Sequence, residues 1–295
     1  MFLHRHQAVP RPDATLLPLF VSGLTAAIAL QHAGGLDILS LSGSSESASS
    51  AAPSSFAVAA AGGKPSRPKT VLVTAAAGAT GMFAVQLAKL GGAHVIGTCS
   101  SSDKVDVLKR LGCDRVVNYK KESLNSVLHK EYKGGIDVVY ESVGGEFLDI
   151  CIRHLAVKGR LIVIGFISGY SDGSGWKDGA SPAPAASKVL PVPWYAELLR
   201  KSATVSGFFL NDYARDIPAH MKNLTALVMS GRLQSVVDDG STTRTGSSAS
   251  DQGKHTAFTG LADIANAIDH MYRGANIGKV VVRIGKSTHV RPSKL

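Results

Sequence analysis

The sequence predicts an α/β protein built on a doubly wound parallel sheet, and three observations carry that expectation. From Thr70 onward, apolar runs of strand length alternate with segments of helical period. The first run ends in a glycine-rich turn, Ala76-Ala77-Gly78-Ala79-Thr80-Gly81, which leads straight into a helical pattern. The chain has 295 residues, 44% hydrophobic and 18% charged, enough for a large core with ordinary globular composition. Strand–helix alternation at this spacing closes as a parallel sheet with helices on both faces, the Rossmann arrangement.

The elements follow in order. Thr70 to Thr74 is a buried-strand run, and the helix opening at Gly81 sets Phe83, Leu87 and Leu90 on one face at i, i+4 and i+7. Strand His94 to Gly97, helix Asp103 to Leu111 and strand Arg115 to Asn118 come next, with Asp103 placed to cap its helix. Helix Leu124 to Glu131 leads to strand Ile136 to Tyr140, and helix Phe147 to His154 to strand Arg160 to Ile164. A strand over Ala203 to Phe208, a helix over Asp212 to Met229 and a last strand over Val280 to Ile284 complete the pattern.

Three stretches interrupt it. Residues 40–69 are rich in Ser, Ala, Gly and Pro and read as a flexible linker, and residues 239–256 read as a polar surface loop. Ser171 to Pro193, with its Gly, Ser and Pro, reads as a lid or substrate loop. Leu16 to Leu30 is the longest apolar run but falls short of the ~18 residues a membrane span needs. It also lacks a clear signal-peptide cleavage site.

The net charge of +10, from 32 Lys and Arg against 22 Asp and Glu, suits an anionic ligand. These charges are dispersed, without the basic, aromatic-interleaved stripe of a nucleic-acid surface, so no nucleic-acid partner is expected. Cys99, Cys113 and Cys151 form neither a CxxC nor a Cys/His cluster, so no metal site is expected. His4 and His6 make only an isolated HxH near the start. Ser293-Lys294-Leu295 at the end of the sequence is the peroxisomal address, which predicts a peroxisomal location and an import receptor as partner.

The chemistry is concentrated at the glycine turn. It is a G-x-G-x-x-G dinucleotide fingerprint with Ala76 in the first place. Gly78 lets backbone approach a pyrophosphate, Gly81 lets the helix pack on the strand, and the helix N-terminus offers N–H groups to phosphate. A site for a free ribose 2′-hydroxyl would place Asp or Glu about 20 residues on, at the end of the second strand. Here that place reads Thr98-Cys99-Ser100-Ser101-Ser102, with Lys104 shortly after. Ser100 and Lys104 suit a 2′-phosphate, so NADPH is the expected cofactor. One charge-assisted hydrogen bond of about 1.5–3 kcal/mol supplies a tenfold preference or more. Tyr119, after the third strand, is placed either against the adenine or simply at a strand end.

Five segments carry a resemblance. GTCSSSDK, LGCDRVVNYK, DVVYESVGG, KGRLIVIGFISGY and SGFFLNDY are similar to the 15-oxoprostaglandin 13-reductases, a peroxisomal group in the medium-chain dehydrogenase/reductase superfamily. This quinone-oxidoreductase-like group is also called the zinc-binding alcohol dehydrogenase domain-containing proteins. The likeness runs from Thr70 to Tyr213 and again from Phe258 to Ile284, while Val9 to Gly35 resembles the proline-marked helix leading into the cofactor domain. It implies an NADP-binding domain over 70–213, C-terminal helices and a strand over 214–286, and a signal-bearing tail over 287–295. Residues 1–39 would be a remnant of an N-terminal GroES-like domain of roughly a hundred residues. The chain is therefore expected to be either a truncated form or the product of an incomplete gene model.

The resemblance implies contacts as well. Thr80 would sit on the phosphates, Ser100 and Lys104 on the 2′-phosphate, and Tyr119 at the adenosine. Ser142, Ile164 and Tyr170 would lie toward the nicotinamide, Phe209, Leu210 and Asn211 would follow the sixth strand, and Asn276 would close over the cofactor. The implied reaction is metal-free reduction of the carbon–carbon double bond of a conjugated enone or quinone. Tyr170 is then the catalytic candidate for organising the developing oxyanion, or it only packs on the cofactor. An NADPH-binding protein without turnover, for want of a substrate domain, is the alternative. Short-chain dehydrogenase chemistry is excluded, because none of the seven tyrosines has Lys four residues on. Oligomeric state is not legible, although pairing of the final strand in such folds allows a homodimer.

Overall fold

In the computed structural model, residues 14–42, 67–169, 192–241 and 257–284 are described. Six strands form one parallel sheet: β1 (Thr70–Val73), β2 (His94–Cys99), β3 (Arg115–Asn118), β4 (Ile136–Glu141), β5 (Leu155–Val163) and β6 (Thr204–Gly207). Their order is β3-β2-β1-β4-β5-β6. Sequential strands run outward from β1 in one direction and, after a return crossover, from β4 in the other. The sheet therefore has its topological switch point between β1 and β4, where ligands bind outside the carboxyl ends of such sheets. The expected doubly wound fold is what forms.

Helices α1 (Leu24–His32), α2 (Ala79–Leu90) and α7 (Ile217–Met229) pack together on one side. A core with Val71, Val73, Phe83, Tyr140 and Ile162 runs from the sheet into these helices. Helices α4 (Leu124–Glu131), α5 (Gly145–Arg153) and α6 (Trp194–Lys201) lie in the second layer. Leu72, Ile96, Val139 and Leu161 point to that side and pack with Leu128, Ile150 and Cys151. Successive residues of the central strands thus face opposite cores, which is why these strands read as continuous apolar runs. The remaining helices are α3 (Ser102–Arg110) and α8 (Ile264–Tyr272).

The apolar stretch before Leu30 has a packing explanation. Ala26 to Leu30 in α1 are fully buried against α2 and α7, so this helix is apolar on every side because protein surrounds it. Among the described residues no helix is long and apolar enough to cross a membrane.

Several boundaries differ from expectation. Strand β5 begins at Leu155, five residues earlier than expected; Lys158, at φ +61°, interrupts it and hides its first part from the alternation a continuous strand would show. The helix expected from Asp212 starts at Ile217 with Pro218 in its first turn. A separate 3₁₀ turn, Leu210–Tyr213, precedes it. Ser101, not Asp103, caps α3: its Oγ accepts the Lys104 N–H at 3.4 Å. The last strand is only β8 (Lys279–Val280), paired in parallel with β7 (Val237–Asp238) in a separate two-stranded sheet. Helix α6 was not anticipated, and α8 only as one of the C-terminal helices expected over 214–286.

Candidate functional site

The fingerprint turn joins β1 to α2 at the switch point. Ala75 takes φ +46°, a left-handed conformation that costs a non-glycine residue on the order of 1–3 kcal/mol. Gly78 stands extended before the helix (φ −81°, ψ 174°) and no side chain caps α2. The first-turn N–H groups and the positive end of the helix dipole therefore face the crevice. A Cβ at Gly81 would lie 2.6 Å from Ala75 O and 2.8 Å from Ala76 Cα, so only glycine lets α2 sit this close to the turn. The Ala76-for-Gly departure is accommodated, since Ala76 is fully buried and points into the core.

Across the switch point β4 ends in Tyr140 and Glu141, both 0% exposed. Among the described residues no cation pairs with Glu141. Its Oε1 accepts from Val143 N–H at 2.8 Å, Gly144 N–H at 3.0 Å and Thr74 Oγ1 at 3.2 Å. Thr74 Oγ1 in turn accepts the Ser142 N–H at 2.8 Å, which ties the β1 and β4 ends together. Burial pushes the Glu141 carboxyl upward, and these donors pull against it. The β4 loop is stitched to the next one: Ile164 N–H donates to Glu141 O at 2.8 Å, and Ile167 N–H to Ser142 O at 3.1 Å. Ser142 Oγ and Tyr140 Oη are buried without a hydrogen-bond partner among the described residues.

Beyond the neighbouring strand, Ser100 lies in the bend after β2 and Lys104 in the first turn of α3. Lys104 is only 7% exposed, and its ammonium donates to Gly274 O at 2.7 Å. Tyr119 is 42% exposed beyond β3, its ring edge-on to Phe147 with centroids 5.2 Å apart. Asn276, far along the chain, is brought to the same place. Gly278 N–H donates to Ala77 O at 2.9 Å, and Asn276 Nδ2 donates to Gly278 O at 3.0 Å. Asp238, buried in β7, fixes this segment by accepting the Ile277 N–H at 2.9 Å and bonding His270 Nε2 at 3.0 Å.

Gly78, Thr80, Gly81, Ser100, Lys104, Tyr119, Ser142, Ile164 and Asn276 thus share one edge of the sheet. Phe209, Leu210 and Asn211 follow β6 farther along that edge, with Phe209 62% exposed. Tyr170, the residues of the expected lid up to 191, most of both low-complexity stretches and the terminal Ser-Lys-Leu lie outside the described residues. The sequence reading missed Tyr140, Glu141 and Asp238. The available signal was a carboxylate closing the otherwise apolar Ile136-Asp137-Val138-Val139-Tyr140-Glu141 strand, since a charge there must be fully coordinated.

Uncapped N–H groups at a glycine-rich helix start, a crevice at the switch point and orphaned hydroxyls beside it all fit a dinucleotide. A zinc ion does not fit. Among the described residues no three His, Cys, Asp or Glu side chains converge on one point. All three cysteines are buried, and none belongs to such a group.

Known proteins are similar in sequence and fold. Residues 79–227 match the family described as zinc-binding dehydrogenase. Prostaglandin reductase-3 of Bos taurus is 42% identical over 281 residues, 95% of this chain and 62% of that protein. A probable quinone oxidoreductase of Leishmania amazonensis is 42% identical over 93% of this chain and 65% of its own length. The chain therefore spans less than two thirds of these relatives. A crystal structure of CurA from Vibrio vulnificus, in complex with NADPH, superposes with TM-score 0.69 at 23% identity, covering 95% of this chain and 67% of that one. It shares the fold.

Proposed function

Since the chain belongs to the zinc-binding dehydrogenase family, we propose that it binds NADPH along the carboxyl edge of its sheet and reduces the carbon–carbon double bond of conjugated enones or quinones. The observation that carries the reading is the uncapped start of α2 behind Gly78, at the switch point, with Lys104 and Ser100 at the end of the neighbouring strand. The reductase names of the relatives, and NADPH in the similar CurA structure, favour the same chemistry.

Each residue has a role in this reading. The α2 N–H groups, Gly78 and Thr80 would hold the pyrophosphate, and Ser100 and Lys104 the 2′-phosphate. Tyr119 would lie at the adenosine, with Asn276 closing over it. Ser142 and Ile164 would line the nicotinamide end, where the stitched β4 and β5 loops keep geometry fixed, and Phe209, Leu210 and Asn211 the crevice beyond β6. The bound cofactor supplies hydride. Tyr170 would orient the substrate carbonyl and stabilise charge developing on its oxygen, the larger part of the work in such a reaction. No step calls for a metal.

Two broader assignments belong to the reading. The terminal Ser293-Lys294-Leu295 addresses the chain to the peroxisome through the import receptor. A homodimer, paired through the final strand, also belongs to this reading.

The test is NADPH oxidation by the purified chain with a conjugated enone, run beside an NADH control. Enone-dependent turnover with NADPH preferred is the expected result. NADPH binding without turnover would replace the reductase reading with that of a binding protein.

A further inference from the structure

We propose that Tyr140 is a positioning residue for the cofactor pyrophosphate, its buried hydroxyl donating to Thr80 so that Thr80 turns its own O–H onto the phosphate. The inference rests on the NADPH reading above and adds a residue to it.

Among the described residues Tyr140 is the largest fully buried side chain. Its strand is hydrogen-bonded on both sides, to Val73 of β1 and Ile162 of β5, and its ring lies in the core shared with α1 and α2. Every part of that environment would accept Phe. The hydroxyl is the part that does not belong, because it has no hydrogen-bond partner among the described residues. An orphaned buried hydroxyl costs stability and calls for an explanation. Its neighbour supplies one. Thr80, in the first turn of α2, is the side chain whose hydroxyl offsets part of the rise that burial imposes on the phenol, and among the described residues the two hydroxyls do not meet as a geometric hydrogen bond. Burial also keeps the phenol protonated, so it remains a donor.

Thr80 is the second residue of α2, in the uncapped first turn where a pyrophosphate would rest. A small rotation of the Thr80 side chain lets one hydroxyl accept from Tyr140 and donate outward. The two bonds would polarise each other, strengthening the outer one. The unliganded protein thus bears the cost of the orphan, and the ligand removes it. A merely structural tyrosine has the opposite signature, with its hydroxyl satisfied before any ligand arrives.

The experiment compares the full chain with Tyr140→Phe, Thr80→Val and the double variant. It measures NADPH affinity by fluorescence and the unliganded thermal midpoint. Tyr140→Phe is expected to weaken NADPH about 3- to 10-fold, the worth of one neutral hydrogen bond, while its midpoint stays level or rises. Adenosine 2′-monophosphate, which lacks the pyrophosphate, should bind Tyr140→Phe and the parent equally. The double variant should bind like Thr80→Val alone, because the two hydroxyls act in series, and Thr80→Ser should restore affinity. An unchanged NADPH affinity in Tyr140→Phe, a lowered midpoint, or additive losses would overturn the relay and leave the cofactor reading standing. Failure of the parent chain to bind NADPH would overturn both.

Discussion

The two edges of the sheet handle polar groups in opposite ways. At the amino edge the charges complete one another. Arg67 holds Asp137 through two bonds of 2.8 and 2.9 Å, and Asp137 also accepts the first N–H of β1 at 2.8 Å. Arg115 grips both Glu122 and Glu131, and those bonds pull the two carboxyls down. Lys201 closes on the last carbonyls of α5, where its charge also suits the helix dipole. At the carboxyl edge the turn is strained at Ala75, α2 is uncapped, and Tyr140 and Ser142 present orphaned hydroxyls. An edge that satisfies itself serves stability, whereas one left incomplete is finished by a ligand. Glu141 marks the boundary between the two: although it lies at the carboxyl edge, its carboxyl is hydrogen-bonded, chiefly to the backbone of the loop bearing Ser142.

The largest expected effect contrasts two glycines. Gly81→Ala drives a Cβ to 2.6 Å from a backbone oxygen that cannot retreat, and should cost about 2–3 kcal/mol and abolish NADPH binding. Gly92, at the amino edge, has φ +79° and nothing within 4 Å of where its Cβ would lie. Gly92→Ala should cost only the left-handed penalty of about 1–2 kcal/mol and leave NADPH affinity intact. Chemical unfolding and fluorescence titration of the two variants provide the check. A Gly81→Ala chain that still binds NADPH would break the contrast.

Next in size is Lys104. Lys104→Ala should weaken NADPH tenfold or more, the worth of a charge-assisted bond of about 1.5–3 kcal/mol, and NADH hardly at all. Arg115→Ala, the matching cation at the other edge, should lower the thermal midpoint and change neither cofactor affinity. Equal losses for NADPH and NADH in Lys104→Ala would remove the 2′-phosphate assignment.

How much of this was legible follows from where the determining interactions lie. The strand runs and the Gly78–Gly81 turn are local, so they could be read directly from the residues. Helix α6 was hidden because the proline-rich stretch before it dominated the reading, although Pro193 is simply its N-cap. The last strand shrank to Lys279–Val280 because its partner is the two-residue β7, which no apolar run announces. In the site, Ser100 and Lys104 were identified by sequence distance from the fingerprint. That Lys104 is shared with Gly274 O depends on a contact 170 residues away and has no local signature. The same holds for Asp238 and the Ile277 N–H. Tyr140 is a different case, since its ring reads as core and only the missing partner of its hydroxyl marks it.

The smallest effect tests whether the amino edge is as passive as its pairing implies. His154 shares a 2.7 Å hydrogen bond with Asn125 Oδ1. Burial, and then the charges of Arg153, Lys201 and His129, lower its pKa from the ordinary 6.5 to about 4. The folded value lies below the unfolded one, so between these limits the unfolded chain binds more protons. His154 therefore contributes stability that is fully present above about 6.5 and is lost as pH falls toward 4. The ring is partly exposed and water screens the effect, so a difference of about 2–4 °C in midpoint is expected, corresponding to about 1 kcal/mol in a chain of this size. His154→Gln can still hydrogen-bond Asn125 but does not titrate. Between pH 7 and pH 5 the parent chain should lose more thermal stability than this variant, while the ratio of their NADPH affinities stays constant. Parallel pH profiles would mean that the cations around His154 are too well hydrated to matter. A changing affinity ratio would mean that the amino edge communicates with the cofactor crevice, and the division of labour between the edges would fail.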